Sequence, residues 1–190
     1  MTKYIHPFFK LYDEETRVKA MQELWGKVES AYEILGSQPF EKEGLYIGHS
    51  GGKDSVVVTT LATNRLGDLP VLHTAKPKGE NAVHPDAQKI VYELGASRSV
   101  LLYPRDTPPP TGYDTQIDGT KRCEHDRTDG RHTDVLINGQ LVSRKDMPAY
   151  VTNGLFRKNF IFPLYDWEDY HVWALIYSWG LSHSAEYDEV

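Results

Sequence analysis

The sequence predicts an α/β fold with a mainly parallel sheet, and three observations carry that expectation. Short apolar runs alternate with helical stretches, which implies crossover units and helices on both faces of the sheet. A Ser/Gly-rich turn, Ser50-Gly51-Gly52-Lys53-Asp54-Ser55, joins the first apolar run to a helix. With 190 residues, 39% of them hydrophobic and 25% charged, the chain is long enough to bury one sizeable core.

Residues Asp13 to Gly36 read as a helix, with Asp13 as cap, Glu14 and Glu15 in the first turn and Gly36 as stop. Val18, Met21, Trp25, Val28, Tyr32 and Leu35 recur at steps of three and four, which predicts one apolar face for packing or for a homodimer. Gly44 to Gly48 predicts a buried strand, and Ser55 to Ala62 the body of the next helix. Leu69 to Thr74 predicts a second strand, Pro85 to Leu94 a helix stopped by Gly95, and Ser99 to Tyr103 a third strand. Pro104 to Asp114, with three consecutive prolines, reads as a loop. Asn138-Gly139 between apolar residues predicts a hairpin over Asp134 to Ser143. Phe160 to Phe162 suggests a late strand, and Asp166 is expected to cap a closing helix from about Glu168 to Trp179.

The turn at 50–55 carries the chemistry. A strand, a glycine turn and a helix N-terminus together make an anion site, because unpaired N–H groups point outward and the helix dipole favours negative charge. Gly51 and Gly52 permit close backbone approach, Ser50 and Ser55 offer hydroxyl donors, and Lys53 adds positive charge. Asp54 would repel a phosphate unless a cation lay between them, so it predicts Mg²⁺ on a polyphosphate. The spacing differs from that of the G-x-x-x-x-G-K-[ST] loop.

This hexapeptide resembles the S-G-G-x-D-S signature of the PP-loop ATP pyrophosphatases. That resemblance implies a five-stranded, mostly parallel sheet, with Mg-ATP cleaved between its α and β phosphates. Pro163, Leu164, Asp166, Trp167, Val172 and Trp173 resemble the P-L-x-D-W-x-x-x-D-V-W segment of the phosphoadenosine phosphosulfate (PAPS) reductase branch, which includes the sulfate adenylyltransferase small subunit. His171 stands where that segment has Asp. Gly119-Thr120-Lys121-Arg122-Cys123-Glu124-His125-Asp126-Arg127 looks like the branch's G-x-R-x-x-E-S-x-x-R. There Lys121 replaces the first Arg, His125 replaces Ser, and Arg127 comes one residue early. The resemblance gives Lys121, Arg122 and Arg127 the phosphates or the substrate anion, beside a Gly119-terminated strand, and puts His73 and Thr74 near adenine. It spans about Gly44 to Trp179, with residues 1–40 as a helical extension and 41–190 as the ATP-binding domain.

The expected activity is adenylylation of a small acceptor with release of pyrophosphate. The reductases attack with a cysteine beyond the D-V-W helix, where residues 180–190 hold none, so a reductase reading needs Cys123. Lys121 and Arg122 would lower the pKa of that thiol. Cys123, His125 and His132 also offer a transition-metal set, at irregular spacing, although a solvated charged loop gathers such residues by chance. A subunit that works only with a protein partner is the remaining alternative. The net charge of −6 argues against a nucleic-acid partner, no apolar run approaches the ~20 residues of a membrane span, and one cysteine without a signal peptide points to the cytoplasm.

Overall fold

The computed structural model describes residues 5–75, 87–93, 101–104, 111–126, 134–137, 140–152, 154 and 158–189. Helices α1 (Pro7–Leu11) and α2 (Glu14–Gly36) precede strand β1 (Leu45–Gly48), helix α3 (Lys53–Leu66) and strand β2 (Val71–Ala75). Then come α4 (Ala87–Glu93), β3 (Leu101–Pro104), β4 (Thr115–Ile117), β5 (Asp134–Ile137) and β6 (Gln140–Ser143). The chain closes with β7 (Tyr150–Val151), β8 (Asn159–Ile161) and α5 (Asp169–Trp179).

One sheet has the order β3-β2-β1-β4-β8-β7. Its first five strands are mutually parallel, and only the edge strand β7 runs antiparallel. The chain winds outward from β1 to β2 and β3, then crosses to β4 on the other side of β1. This reversal puts a crevice at the carboxyl ends of β1 and β4, where ligands of such sheets bind. β5 and β6 form a separate hairpin with Ile137 opposite Gln140; its turn residues Asn138 and Gly139 lie outside the described residues, as do Gly95 and the three prolines.

Leu45, Ile47, Val71, Ile117 and Ile161 share one buried cluster with side chains from all five described helices. Alternation turns Tyr46 the other way, where it packs with Leu72 and Tyr113. The helical layer among the described residues is therefore one-sided. The described parts of the connections into β4 and β8 are turns, short 3₁₀ pieces and the hairpin. No described helix is long and apolar enough to cross a membrane.

Asp13 caps α2, accepting the Thr16 N–H at 2.8 Å. The buried stripe of α2 is Ala20, Leu24, Val28, Ala31, Ile34 and Leu35, whereas Val18, Met21 and Trp25 of the expected face are exposed, Trp25 by 67%. Both rows have helical spacing. The one containing small alanines faces α3 and α5, where helix axes must approach closely. Asp166 does not cap α5. The cap is Glu168, in a reciprocal capping box in which the Nδ1 of His171 accepts the Glu168 N–H at 2.9 Å. Asp166 instead faces solvent and pairs with Lys27 at 3.3 Å.

Candidate functional site

The Ser50–Ser55 turn leaves β1 at the crevice. Gly51 has φ 88°, a left-handed conformation that any residue with a Cβ adopts at a cost. Ser50 N–H donates to the Ser55 hydroxyl at 2.9 Å, and the two serine hydroxyls lie 2.8 Å apart. Buried His49 accepts the Gly51 N–H on Nδ1 at 3.1 Å, which helps to shape the turn. Gly52 is the N-cap of α3 and, having no side chain, gives the helix no cap. The next N–H, that of Lys53, reaches the hydroxyl of Tyr187 at 3.5 Å. Tyr187 belongs to a 3₁₀ turn near the end of the chain and packs edge-on against Trp173.

Gly119 brings the end of β4 against this helix start. A Cβ there would lie 3.0 Å from the Asp54 carbonyl oxygen, so any larger residue would push the two segments apart by a few tenths of an ångström. Its role is close packing, and it delivers Lys121. Fully buried Lys121 meets three carboxylates: Asp54, Asp169 at 3.1 Å and Glu124 at 3.6 Å. Lys53 contacts Asp54 at 3.0 Å and Asp169 at 3.2 Å. Lys53, Asp54, Lys121 and Asp169 thus close a ring of alternating charge, while Glu124 also pairs with Arg144 at 2.9 Å.

Burial opposes the charge on Lys121, but Asp54, Asp169 and Glu124 outweigh it and raise its pKa above the ordinary lysine value. Burial likewise opposes ionisation of Asp169, and the ammonium groups of Lys121 and Lys53 overcome it and hold the carboxyl below its usual range. Cys123 behaves differently from the sequence expectation. Burial pushes its thiol up to about 12, and the carboxylates of Glu168, Asp169 and Glu124 add to this against the pull of Lys121. It is a protonated thiol at neutral pH, not an activated one.

Among the other expected site residues, Arg122 donates to the Met147 carbonyl at 2.8 Å and lies over the Tyr165 ring. His73 and Thr74 lie at the carboxyl end of β2, opposite Leu102 and Tyr103 of β3. Arg127, His132 and the side chain of His125 lie outside the described residues. No group of three or more His, Cys, Asp or Glu among the described residues is placed to hold a metal ion. Both Asp54 oxygens face lysine ammonium groups, so a Mg²⁺ there would share the carboxylate with Lys53 or Lys121 and take its other ligands from the phosphates it accompanies. Sequence reasoning missed Asp169 and Tyr187, which the fold brings to Lys53.

No protein-family model matches the sequence, and no curated protein matches it. Solved structures share the fold, two of them as follows. Yeast FAD synthetase in complex with FAD superimposes with a TM-score of 0.51 at 14% identity, over 90% of this chain and 63% of that one. The U34-tRNA thiolase NcsA from Methanococcus maripaludis, with its 4Fe-4S cluster, gives 0.51 at 14% identity, over 92% of this chain and 68% of that one. This chain therefore spans less than two thirds of the FAD synthetase's length. The architecture is the PP-loop, adenine nucleotide alpha hydrolase-like fold.

Proposed function

We propose that the chain binds Mg-ATP at Ser50–Ser55 and transfers its adenylyl group to a small acceptor, releasing pyrophosphate. The observation that carries this reading is the start of α3. It opens at the switch point of a parallel sheet, has no side-chain cap, and is flanked by Lys53. An acceptor oxygen attacks the α-phosphorus, and the bond to the bridging oxygen of the β-phosphate breaks. The turn N–H groups, Ser50, Ser55 and Lys53 take up the charge of the departing pyrophosphate. Mg²⁺, when bound at Asp54, supplies further charge neutralisation. Lys121 orients Asp54 through their ion pair, and Arg122 and Arg127 serve the acceptor or the phosphates.

The fold shared with a FAD synthetase and a tRNA thiolase supports nucleotide chemistry of this kind. A cluster like that of the thiolase, normally held by several cysteines, has no counterpart in a chain with one. The high pKa of Cys123 also weighs against a reductase. A subunit reading is favoured by the exposed Val18, Met21 and Trp25, which suit a protein partner or a second copy. Calorimetry with Mg-ATP tests the main proposal. Wild type is expected to bind, with affinity about tenfold or more weaker in Asp54→Ala and Ser50→Ala. An absence of binding by wild type would overturn it.

A further inference from the structure

We infer that Asp169 is an internal stand-in for a phosphate group, holding the two site lysines until a polyphosphate displaces it. The inference rests on the reading of the turn as a polyphosphate site. It goes further by assigning a selectivity role to a residue that neither the turn nor the segment resemblance singles out.

Lys121 is fully buried and the Lys53 side chain is 13% exposed, whereas the Asp169 side chain is 51% exposed. The carboxylate therefore reaches the lysines from the solvent side, the side from which a ligand arrives. One oxygen, Oδ1, contacts both ammonium groups, at 3.2 and 3.1 Å. A phosphate oxygen bridging two lysines would make the same pair of contacts. Asp54 differs, because each of its oxygens faces one lysine and its side chain is 23% exposed. Asp169 is thus the more exchangeable of the two carboxylates.

Charge balance gives this exchange a consequence. Two ammonium groups meet two carboxylates in the ring, and Glu124 is matched by Arg144. Among the described residues of this ring, a metal-free polyphosphate finds both ammonium groups already paired and must compete with Asp169. A polyphosphate carrying Mg²⁺ brings its own positive charge, so Asp169 selects for the metal complex over the bare anion. Removing the Asp169 charge while keeping its shape leaves one surplus positive charge facing solvent.

The test is calorimetric titration of the full chain with inorganic pyrophosphate, with and without Mg²⁺. Asp169→Asn is expected to bind metal-free pyrophosphate about tenfold more tightly than wild type, a modest figure because the group is half exposed and screened. The gain from Mg²⁺ should shrink accordingly, and Asp169→Glu, which keeps the charge, should stay near wild type. Asp169 is the first residue of α5. Asp169→Ser, which also suits a helix start, repeats the test should Asn perturb folding, as judged by circular dichroism. Unchanged, weaker or absent pyrophosphate binding in folded neutral variants overturns the inference. Failure of wild type to bind Mg-ATP overturns the proposed function alone, because a pyrophosphate gain in Asp169→Asn is read without nucleotide.

Discussion

Two helices begin beside the same pair of lysines, and they begin in opposite ways. At α5 the start is closed locally. Glu168 and His171 satisfy each other's backbone N–H groups, and buried His171 reaches Glu23 at 2.8 Å with its other nitrogen. At α3 the start is Gly52, with no side chain to give, and the Lys53 N–H finds a tyrosine hydroxyl from the far end of the chain at 3.5 Å. That distance is the limit of a hydrogen bond. A helix start satisfied locally by short bonds is structural. One satisfied weakly by a distant residue is free to exchange that partner for a ligand.

The hardest way to break this contrast is to remove what joins the two starts. Lys121 contacts Asp54 in the first turn of α3 and Asp169 at the first position of α5. Lys121→Met keeps the bulk and deletes the charge, leaving carboxylates facing one another. The expected loss is about 3 kcal/mol in urea unfolding, as for a buried charge left without its partner. A loss below about 1 kcal/mol would mean that Lys53 and Arg144 rebalance the site alone.

His171→Gln sharpens the structural side. Gln retains a capping-box acceptor but loses the contact to Glu23, so about 1 kcal/mol should be lost at pH 7 with pyrophosphate affinity unchanged. The pH dependence gives a second readout. Burial holds the His171 imidazole below its ordinary value, against the hydrogen bond to Glu23. Its contribution is therefore present above about pH 6.5, where the unfolded imidazole is neutral, and fades as pH falls toward the folded value. The stability gap between wild type and His171→Gln should narrow below pH 6.5. A gap that widened on acidification would contradict the neutral, hydrogen-bonded assignment.

The same contrast explains what could be read in the sequence. The turn at 50–55 was legible as a strand-to-helix turn because its glycines are consecutive and sit between an apolar run and a helical one. The Asp13 cap was legible because a cap is a local event. Local signals failed where two readings had the same period: the rows Val18-Met21-Trp25 and Ala20-Leu24-Val28 both fit a helix, and only the closeness of α3 and α5 chooses between them. Asp166 and Glu168 are both plausible caps, and the decision falls to His171, which the segment resemblance marks only as a departure. Asp169 and Tyr187 could not be read at all. Their partners, Lys53 and Lys121, lie far away in the chain, and no spacing rule connects them.

Tyr187→Phe probes the exchangeable start most gently. The ring packs on Trp173 and stays in the variant, so only the hydroxyl at Lys53 N–H is lost. A bond at 3.5 Å contributes little, and unfolding free energy should change by less than about 0.5 kcal/mol. If the hydroxyl merely holds a place, the freed N–H meets an incoming phosphate without competition, and pyrophosphate should bind two- to threefold more tightly, by about 0.5 kcal/mol. Should the hydroxyl instead turn its proton toward a bound phosphate, the same variant would lose affinity by about tenfold, the usual scale for a hydrogen bond to a charged group. The tighter outcome is expected. In the structure this oxygen already accepts the hydrogen bond that a phosphate oxygen would take, and two groups that need the same donor compete for it.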